Sequence, residues 1–253
     1  MKVIILAGGY GTRLSEYTDK IPKPMVLLDS KPILWHIMKS YSKYGFNEFV
    51  IALGYKQEKI KEYFLNYIHN HSDLEIDLKK NSISVVNKKK ENWKISLVDT
   101  GINTLTGGRV KRLEKIIGDE TFMLTYGDGV SDVNLKQLLA FHKKNKKIIT
   151  MTTVRPSARF GEVIVKKNLV NSFKEKPSIN SGWINGGFFV AEPGIFKYLK
   201  GDKEMLERAP LEKLVKEKKV TAFKHKGFWK CMDNIKDLEY LSTICSNKKI
   251  PWL

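Results

Sequence analysis

The residues of this chain that most clearly suggest chemistry are three glycines near its amino terminus. Residues 3–7 form a short apolar run, and three of the four residues 8–11 are glycines, followed by Thr12 and Arg13. A loop that surrounds a polyphosphate must bring backbone N–H groups close to the ligand, and side chains would obstruct that approach. The pattern therefore predicts a buried strand that ends in a phosphate-binding loop.

Two common phosphate-binding fingerprints do not fit this loop. A Walker A motif requires Gly-Lys-Ser/Thr after its spacer, and no such tripeptide follows Gly8. A Rossmann fingerprint that starts at Gly9 would place Leu14 where its third glycine belongs. A glycine-rich turn without function stays an alternative. Lys23 favours the functional interpretation, because prolines on both sides restrict its backbone.

The motif is longer than its glycines. Residues 6–14 read Leu-Ala-Gly-Gly-Tyr-Gly-Thr-Arg-Leu, and residues 22–24 read Pro-Lys-Pro. On these residues the chain resembles the sugar-phosphate nucleotidyltransferases. It is most similar to their glucose-1-phosphate cytidylyltransferase branch through further segments along nearly the whole chain. These segments are residues 31–38, 97–101, 106–109, 125–130, 159–162, 175–177, 183–190 and 227–233.

The resemblance implies that an acceptor phosphate attacks the α-phosphorus of CTP while pyrophosphate leaves. It assigns Arg13 to the leaving pyrophosphate and Lys23 to the α-phosphate, as catalytic residues. Asp128 and Asp233 would hold Mg²⁺, an ion that keeps several waters and takes further ligands from phosphates. The implied nucleotide-binding residues are Leu6, Ala7, Gly8, Gly9, Gly11, Thr12, Arg13, Lys23, Thr104, Arg109 and Gly127, of which Thr104 and Arg109 match the part that reads the pyrimidine.

The acceptor is implied to bind at Glu175, Lys176, Asn185 and Gly186, with Lys176 on its phosphate and with Glu175 and Asn185 on sugar hydroxyls. No catalytic triad is needed, because a phosphate monoester is largely dianionic at neutral pH and is already nucleophilic. Simpler interpretations exist for several of these residues. Asp128-Gly129 is also a turn signal, Asp233 is also a candidate helix cap, and Lys176 also fits an exposed charged loop.

Bulk properties limit the other classes of function. The chain has 253 residues, is 42% hydrophobic, and contains no apolar run that approaches the length of a membrane span. We expect a cytoplasmic protein with one domain over residues 1–253. The part of this domain up to about residue 150 is expected to bind the nucleotide, and the remainder is expected to bind the acceptor and to form oligomer contacts. Two cysteines suggest neither a disulfide framework nor a zinc cluster, so both are expected as unpaired thiols.

The formal net charge of +18 raises the alternative of a nucleic-acid-binding protein. Such modules usually concentrate their basic residues, whereas the 45 lysines and arginines are spread along this chain. A positive field also suits small anionic substrates, so the charge does not oppose a transferase. We therefore expect neither a nucleic-acid nor a membrane partner.

Periodicity predicts an α/β fold with a mostly parallel, doubly wound sheet. The family resemblance implies the Rossmann-like, GT-A-like form of this sheet. Strands are expected at residues 49–53 and 121–125, with predominantly strand-like segments over 148–190. Helices are expected from a cap at Ser30 to Gly45, and over residues 57–68, 134–145, 193–200, 209–218 and 235–246. Residues 74–97 alternate in the manner of β-hairpins that project as an arm.

The predicted function is that of a Mg²⁺-dependent cytidylyltransferase that joins CTP and α-D-glucose 1-phosphate into CDP-glucose. Two alternative acceptors keep the same CTP chemistry: another sugar phosphate, or a phosphorylated amino acid amide such as phosphoglutamine that feeds a capsule modification. A few pocket side chains can redirect the choice of acceptor while the motifs stay unchanged. The family's oligomers imply a homo-oligomer in which the hairpin arm meets another subunit.

Overall fold

The structure, a computed structural model, describes residues 1–87, 91–156, 162–166, 168–174, 182–247 and 249–253. The strands are β1 Lys2–Leu6, β2 Leu27–Leu28, β3 Lys31–Pro32, β4 Glu48–Leu53, β5 Asp73–Asp77, β6 Ser82–Val86, β7 Lys94–Asp99, β8 Phe122–Tyr126, β9 Gly129–Ser131, β10 Ile149–Val154, β11 Glu162–Lys166, β12 Leu169–Lys174, β13 Ile184–Ala191, β14 Val220–Lys224 and β15 Trp229–Cys231. The α-helices are α1 Ser15–Thr18, α2 Ile33–Ser42, α3 Gln57–Leu65, α4 Tyr67–Asn70, α5 Thr106–Arg112, α6 Glu114–Ile117, α7 Leu135–Asn145, α8 Ala209–Lys216 and α9 Ile235–Ser246. Short 3₁₀ helices cover Thr12–Leu14, Lys23–Met25 and Pro193–Tyr198.

The centre of the molecule is a seven-stranded sheet in the order β14-β10-β13-β8-β1-β4-β7. Strand β13 runs antiparallel to both of its neighbours, and the other neighbouring pairs are parallel. The apolar run of β1 is buried on both faces, which is typical of a central parallel strand. The predicted mostly parallel α/β sheet is confirmed.

Each face of the sheet packs against its own layer of helices. Val3 and Ile5 of β1 join the core that contains the apolar sides of α2, α7 and α9. Ile4 and Leu6 point to the opposite face and join the core formed with α5, α6 and α8. Because successive side chains of a strand alternate between faces, one five-residue strand contributes to both cores. The sheet is therefore covered on both sides, as a doubly wound fold requires.

The order of the strands creates a crevice beside β1. From β1 the chain adds β4 and β7 on one side, and then crosses to place β8 on the other side. The carboxyl ends of β1 and β8 lie together, since Leu6 is paired with Tyr126 and the Gly127 amide donates to the Leu6 carbonyl at 3.0 Å. Open α/β sheets bind ligands at such a switch point. The predicted phosphate loop leaves from this edge.

The structure differs from the predicted elements in two places. The helix α2 begins at Ile33, directly after Pro32, so the predicted cap at Ser30 is wrong; Ser30 lies in the turn between β2 and β3. The hairpin arm consists of β5 and β6, which pair antiparallel. The prediction of further hairpins up to residue 97 is wrong, because β7 is an edge strand parallel to β4. Ile95 and Leu97 pack against the core, which draws this strand into the main sheet.

The remaining predicted helices are present with shifted ends. Residues 57–68 form α3 and α4, and residues 193–200 contain a 3₁₀ helix over Pro193–Tyr198. The helix α7 starts at a side-chain cap, since the Gln137 amide donates to Asn134 Oδ1 at 3.0 Å. Among the helices of the described residues, none is both long and apolar enough to cross a membrane.

Candidate active site

A cleft of about 340 Å³ opens at the carboxyl edge of β1 and β8. All eleven residues predicted to bind the nucleotide line it, and so does Asp128. The lining residues are Leu6, Ala7, Gly8, Gly9, Gly11, Thr12, Arg13, Lys23, Pro24, Thr104, Leu105, Thr106, Arg109, Tyr126, Gly127, Asp128 and Met205. The structure thus brings these residues to one place, while the role of each in nucleotide binding stays a prediction.

The glycine loop follows β1 and forms one wall of the cleft. The Ala7 amide still belongs to the sheet and donates to the Ala52 carbonyl at 3.0 Å. Gly11 has a φ of 68°, in the left-handed region, and a Cβ there would collide with Thr18 and crowd the Cβ of Lys23. A glycine at this position therefore lets the loop turn tightly over Lys23.

Lys23 is the charged centre of the site. Its residue is only 7% exposed, and its Nζ donates to Asp128 Oδ2 at 2.7 Å and to Asp233 Oδ1 at 3.0 Å. Burial lowers the pKa of Lys23, but the charge of Asp128 and the hydrogen bonds to both carboxylates outweigh it, so that the pKa is raised. The ammonium group is therefore positively charged throughout the physiological pH range.

A second, small sheet brings the two carboxylates together. Asp128 lies in the turn between β8 and β9, and Asp233 lies two residues after the end of β15. Strands β9 and β15 pair antiparallel with Cys231 opposite Gly129, and the Met232 amide donates to the Asp128 carbonyl at 2.9 Å. Two aspartates that are far apart in the sequence consequently share one ammonium group.

Asp233 is not the cap of the following helix. The cap of α9 is Asn234, whose Oδ1 accepts from the Asp237 amide at 3.0 Å. Asp233 instead accepts from Arg13 Nη1 at 2.8 Å, in addition to Lys23. Burial opposes its ionisation, but Lys23 and Arg13 outweigh this effect and lower the pKa of Asp233. The carboxylate is thus ionised and faces the cleft cations.

The donor set fits a hard divalent cation. Two carboxylate oxygens already converge on one positive centre, the Nζ of Lys23. Within the described residues no group of three or more His, Cys, Asp or Glu side chains is clustered for a metal. A pair of carboxylates suits Mg²⁺, which retains waters and takes phosphate oxygens as further ligands. The residues present therefore fit the Mg²⁺ that the resemblance implies.

Cys231 lies against this carboxylate pair but has the properties of an inert thiol. Its Sγ donates to Asp233 Oδ2 at 3.5 Å. Burial, together with the charges of Asp233 and Asp128, raises the pKa of Cys231 to about 12. Both cysteines of the chain are unpaired thiols, as predicted.

A hydrogen-bond network links the cleft to the predicted acceptor side. Tyr126 OH donates to Glu207 Oε1 at 2.5 Å, and Thr106 Oγ1 donates to Glu207 Oε2 at 2.6 Å. Asn185 Nδ2 reaches Tyr126 OH at 3.3 Å, and the neighbouring Gly186 carbonyl accepts from Trp229 Nε1 at 2.7 Å. Asn185 is thus held beside a ring that lines the cleft. Glu175 and Lys176, the other predicted acceptor residues, lie outside the described residues.

Sequence reasoning assigned no role to Tyr126, Thr106 or Glu207. Tyr126 lies in the matched segment 125–130, at the end of an expected strand, so its position was a usable signal. Burial and the charge of Glu207 raise the pKa of Tyr126, which keeps its hydroxyl as a donor. Glu207 had no local signal, because it is 81 residues from the tyrosine that it contacts.

Thr104 and Arg109, which the resemblance assigns to the base, line the cleft and are 6% and 3% exposed. Arg109 lies on α5, and its guanidinium is hydrogen-bonded to backbone carbonyls of several loops, Gly8 among them. Burial lowers the pKa of Arg109, although a guanidinium stays charged at any physiological pH. That these two residues read a pyrimidine stays a prediction.

The fold and the cleft together define a nucleotidyltransferase: a glycine loop and fixed cations face two convergent carboxylates at the switch point of an α/β sheet. The nucleotidyl transferase family model matches residues 2–244, and the chain belongs to this family.

Two relatives and one solved structure are similar over the full length. The glucose-1-phosphate cytidylyltransferase of Salmonella typhimurium is 46% identical over 253 residues, covering 100% of this chain and 98% of its own. The probable glucose-1-phosphate cytidylyltransferase of Bacillus subtilis is 44% identical, covering 100% of this chain and 99% of its own. HddC from Yersinia pseudotuberculosis, solved in complex with GMP-PN, shares the fold with a TM-score of 0.71 at 24% identity, covering 98% of this chain and 99% of that chain. The family resemblance of the motifs is thereby confirmed.

Proposed function

We propose that this enzyme transfers CMP from CTP to a phosphorylated acceptor, with α-D-glucose 1-phosphate as the first candidate, and releases pyrophosphate. The relatives named glucose-1-phosphate cytidylyltransferase support CTP and this acceptor, since they match the whole chain at 44–46% identity. The observation that carries the proposal is the position of Lys23, whose ammonium lies between two carboxylates beside the glycine loop.

In the proposed reaction an oxygen of the acceptor phosphate attacks the α-phosphorus of CTP. A phosphorus–oxygen bond forms there. The bond between the α-phosphorus and the oxygen that bridges to the β-phosphate breaks, and its electron pair leaves with pyrophosphate. No general base is required, because the second pKa of a phosphate monoester is near ~6. The enzyme's task is to neutralise and orient two anions that repel each other.

Lys23 and Arg13 each have a role in this task. Lys23 is buried and positively charged, which suits a contact with the α-phosphate as negative charge accumulates there. Arg13 is 72% exposed at its side chain and lies on the solvent side of Asp233, which suits the departing pyrophosphate. The backbone amides of residues 8–12 complete the wall against the β- and γ-phosphates.

Asp128 and Asp233 are proposed to hold Mg²⁺. When bound, this ion neutralises phosphate oxygens and polarises the reacting phosphorus. Lys23 pairs with both carboxylates and Arg13 pairs with Asp233, which holds the two aspartates close together.

The acceptor is proposed to bind beside Asn185 and Gly186, with Glu175 and Lys176 as further contacts on its hydroxyls and phosphate. Asn185 is held by Tyr126, which supports this location because the tyrosine also lines the cleft. We treat residues 1–253 as one catalytic domain, with the part up to about residue 150 for the nucleotide and the rest for the acceptor and for oligomer contacts.

A pyrophosphate-release assay with purified protein tests the proposal. CTP, UTP, GTP and ATP are each combined with a panel of acceptors: glucose 1-phosphate, other sugar 1-phosphates and a phosphorylated amino acid amide such as phosphoglutamine. We expect release with CTP and glucose 1-phosphate and little with the other triphosphates. Release only with a different acceptor would identify that acceptor as the substrate. No release with any pair of triphosphate and acceptor would refute the proposed function.

The cellular setting completes the proposal. The reaction belongs in the cytoplasm, where CTP is made and where unpaired thiols persist, and its product would supply a surface polysaccharide such as a capsule. A homo-oligomer is supported by the hairpin of β5 and β6, because Ile76 and Ile83 are 57% and 60% exposed opposite each other on one face. Light scattering measures the oligomeric state of wild type and of Ile76→Lys, and we expect the variant to be less associated. A monomeric wild type would contradict the proposed homo-oligomer.

A further inference from the structure

Arg109 makes more hydrogen bonds than Lys23 or Arg13, the two cations of the cleft that contact carboxylates. It projects from α5 into the protein and is 3% exposed. Its two terminal nitrogens donate to five oxygen atoms at 2.7–3.2 Å, namely the carbonyl oxygens of Gly8, Leu53, Gly101 and Ile102 and the hydroxyl oxygen of Thr100. The guanidinium therefore joins the phosphate loop, the end of β4 and the loop that follows β7.

These bonds use the full capacity of the terminal nitrogens. Two terminal nitrogens of an arginine carry four N–H groups, and five acceptors lie within reach of them here. An N–H that is already paired inside the protein gains little by turning to a ligand, because a carbonyl would then be left unsatisfied. The guanidinium therefore connects loops of the protein to one another, and its terminal nitrogens have no N–H group left over for a ligand.

The glycines around Arg109 give an independent sign of this role. A Cβ atom on Gly8 would overlap the guanidinium, and so would a Cβ on Gly54. The Gly8 carbonyl also accepts from the Tyr55 amide at 3.1 Å, so two donors hold the same carbonyl. The chain thus leaves space at two backbone positions for one side chain, which fixes the start of the phosphate loop.

We propose that Arg109 is a positioning residue that shapes the phosphate-binding loop through the Gly8 carbonyl and does not read the base. It holds the amides of the loop in place for the triphosphate, and its buried charge lies beneath them. The proposal rests on the proposed function for the identity of the triphosphate. Its chemical consequence is specific: loss of Arg109 weakens the binding of phosphate groups equally, whatever base is attached.

Two kinds of measurement distinguish positioning from base reading. Calorimetric titration with tripolyphosphate, which has no base, reports on the loop alone. The ratio of kcat/KM for CTP to that for UTP reports on the base. Variants Arg109→Met and Arg109→Lys are compared with wild type and with Arg112→Met. Arg112 is a matched control on the same helix, since it forms an exposed pair with Asp202 and does not line the cleft.

We expect Arg109→Met to bind tripolyphosphate at least about tenfold more weakly, because small displacements of a binding loop are costly, while the ratio of CTP to UTP stays within about twofold. Arg109→Lys keeps a cation, so its affinity for tripolyphosphate should lie between those of Arg109→Met and wild type. The affinity of Arg112→Met should equal that of wild type. Thermal melts identify variants that do not fold. If Arg109→Met does not fold, Arg109→Lys alone is compared with wild type.

Unchanged tripolyphosphate affinity in the folded Arg109 variants would overturn the proposal, and so would a collapse of the preference for CTP over UTP. These outcomes are separate from failure of the proposed function. If the wild type released no pyrophosphate from CTP, the proposed function would fail, while the tripolyphosphate titrations would still measure what Arg109 does to the loop.

Discussion

The two walls of the cleft are built in opposite ways. The loop wall comes from one continuous stretch, residues 8–23, and presents backbone amides with Arg13 and Lys23. The carboxylate wall is formed by Asp128, which lines the cleft, together with Asp233, which shares the Lys23 ammonium with it; the pairing of β9 with β15 brings the two together. The walls meet in the ion pairs of Lys23 and Arg13. A site for a polyanion and a metal therefore needs both signs of charge at contact distance.

The largest effect is expected where both walls meet. Lys23→Ala removes the cation that we propose for the α-phosphate, and Asp128→Asn removes one charge of the metal pair. Each should lower kcat by about 10³-fold or more, because fixed charges in a partly buried site stabilise the transition state strongly. Steady-state pyrophosphate release measures this loss. Lys39→Ala, which removes the partner of Glu91 away from the cleft, is the control with near-normal turnover.

Folding must be separated from chemistry in these variants. Circular dichroism and thermal melts should give a folded protein for Lys23→Ala and Asp128→Asn. Turnover above about a tenth of wild type in a folded variant would show that the meeting point of the walls does not carry the reaction.

A smaller effect is expected at the exposed end of the loop wall. Arg13→Ala should lower kcat by about 10²-fold, because a solvated cation stabilises the leaving group less than a buried one does. Lys94→Ala is a matched control, since Lys94 is 80% exposed and pairs with Glu48 much as Arg13, 72% exposed, pairs with Asp233. Equal kinetics for the two variants would remove Arg13 from the proposed mechanism.

The carboxylate wall also predicts an acid-dependent loss of stability. Although burial opposes its ionisation, Lys23 and Arg13 lower the pKa of Asp233 below its ordinary value of 3.8. Ionised Asp233 therefore stabilises the fold above that value, and the contribution is lost as the pH falls through the folded-state pKa. Wild type should melt about 2–4 °C above Asp233→Asn at pH 6, and the difference should shrink progressively once the pH falls below 3.8. A constant difference across this range would contradict the ion pairs.

The smallest effect concerns the thiol beside the carboxylate wall. Burial and the charges of Asp233 and Asp128 raise the pKa of Cys231 from 9.0 to about 12. At pH 8 its thiolate fraction is then about a thousandfold below that of an ordinary cysteine, and labelling by a disulfide reagent should be correspondingly slow. A Cys245→Ala background isolates the signal of Cys231. Rapid labelling at pH 8 would mean that this wall is more open or less negative than the structure has it.

The loop wall could be predicted from the sequence because its parts are neighbours in the chain. The glycines, Arg13 and Lys23 occupy one short stretch, and the apolar run before them identifies a buried strand. The mostly parallel sheet could be predicted as well, because the alternation of strand and helix leaves few topologies.

That Asp128 and Asp233 belong to one site could be predicted only through a family resemblance. Asp233 next to Asn234 fits a helix cap as well as a ligand site, and the tie between β9 and β15 has no local signature. The network of Tyr126 and Glu207 was missed for the same reason. The cap at Ser30 was wrong because Pro32 lies between it and the helix, and β7 was misassigned because packing against the core outweighed its hairpin-like pattern.

A crystal structure with CTP and magnesium tests the central claim most directly. We expect the triphosphate to lie along residues 8–13, Lys23 to have moved from the carboxylates to the α-phosphate, and a metal to lie between Asp128 and Asp233. A CTP molecule bound outside this cleft, with Lys23 still paired to both aspartates, would contradict it.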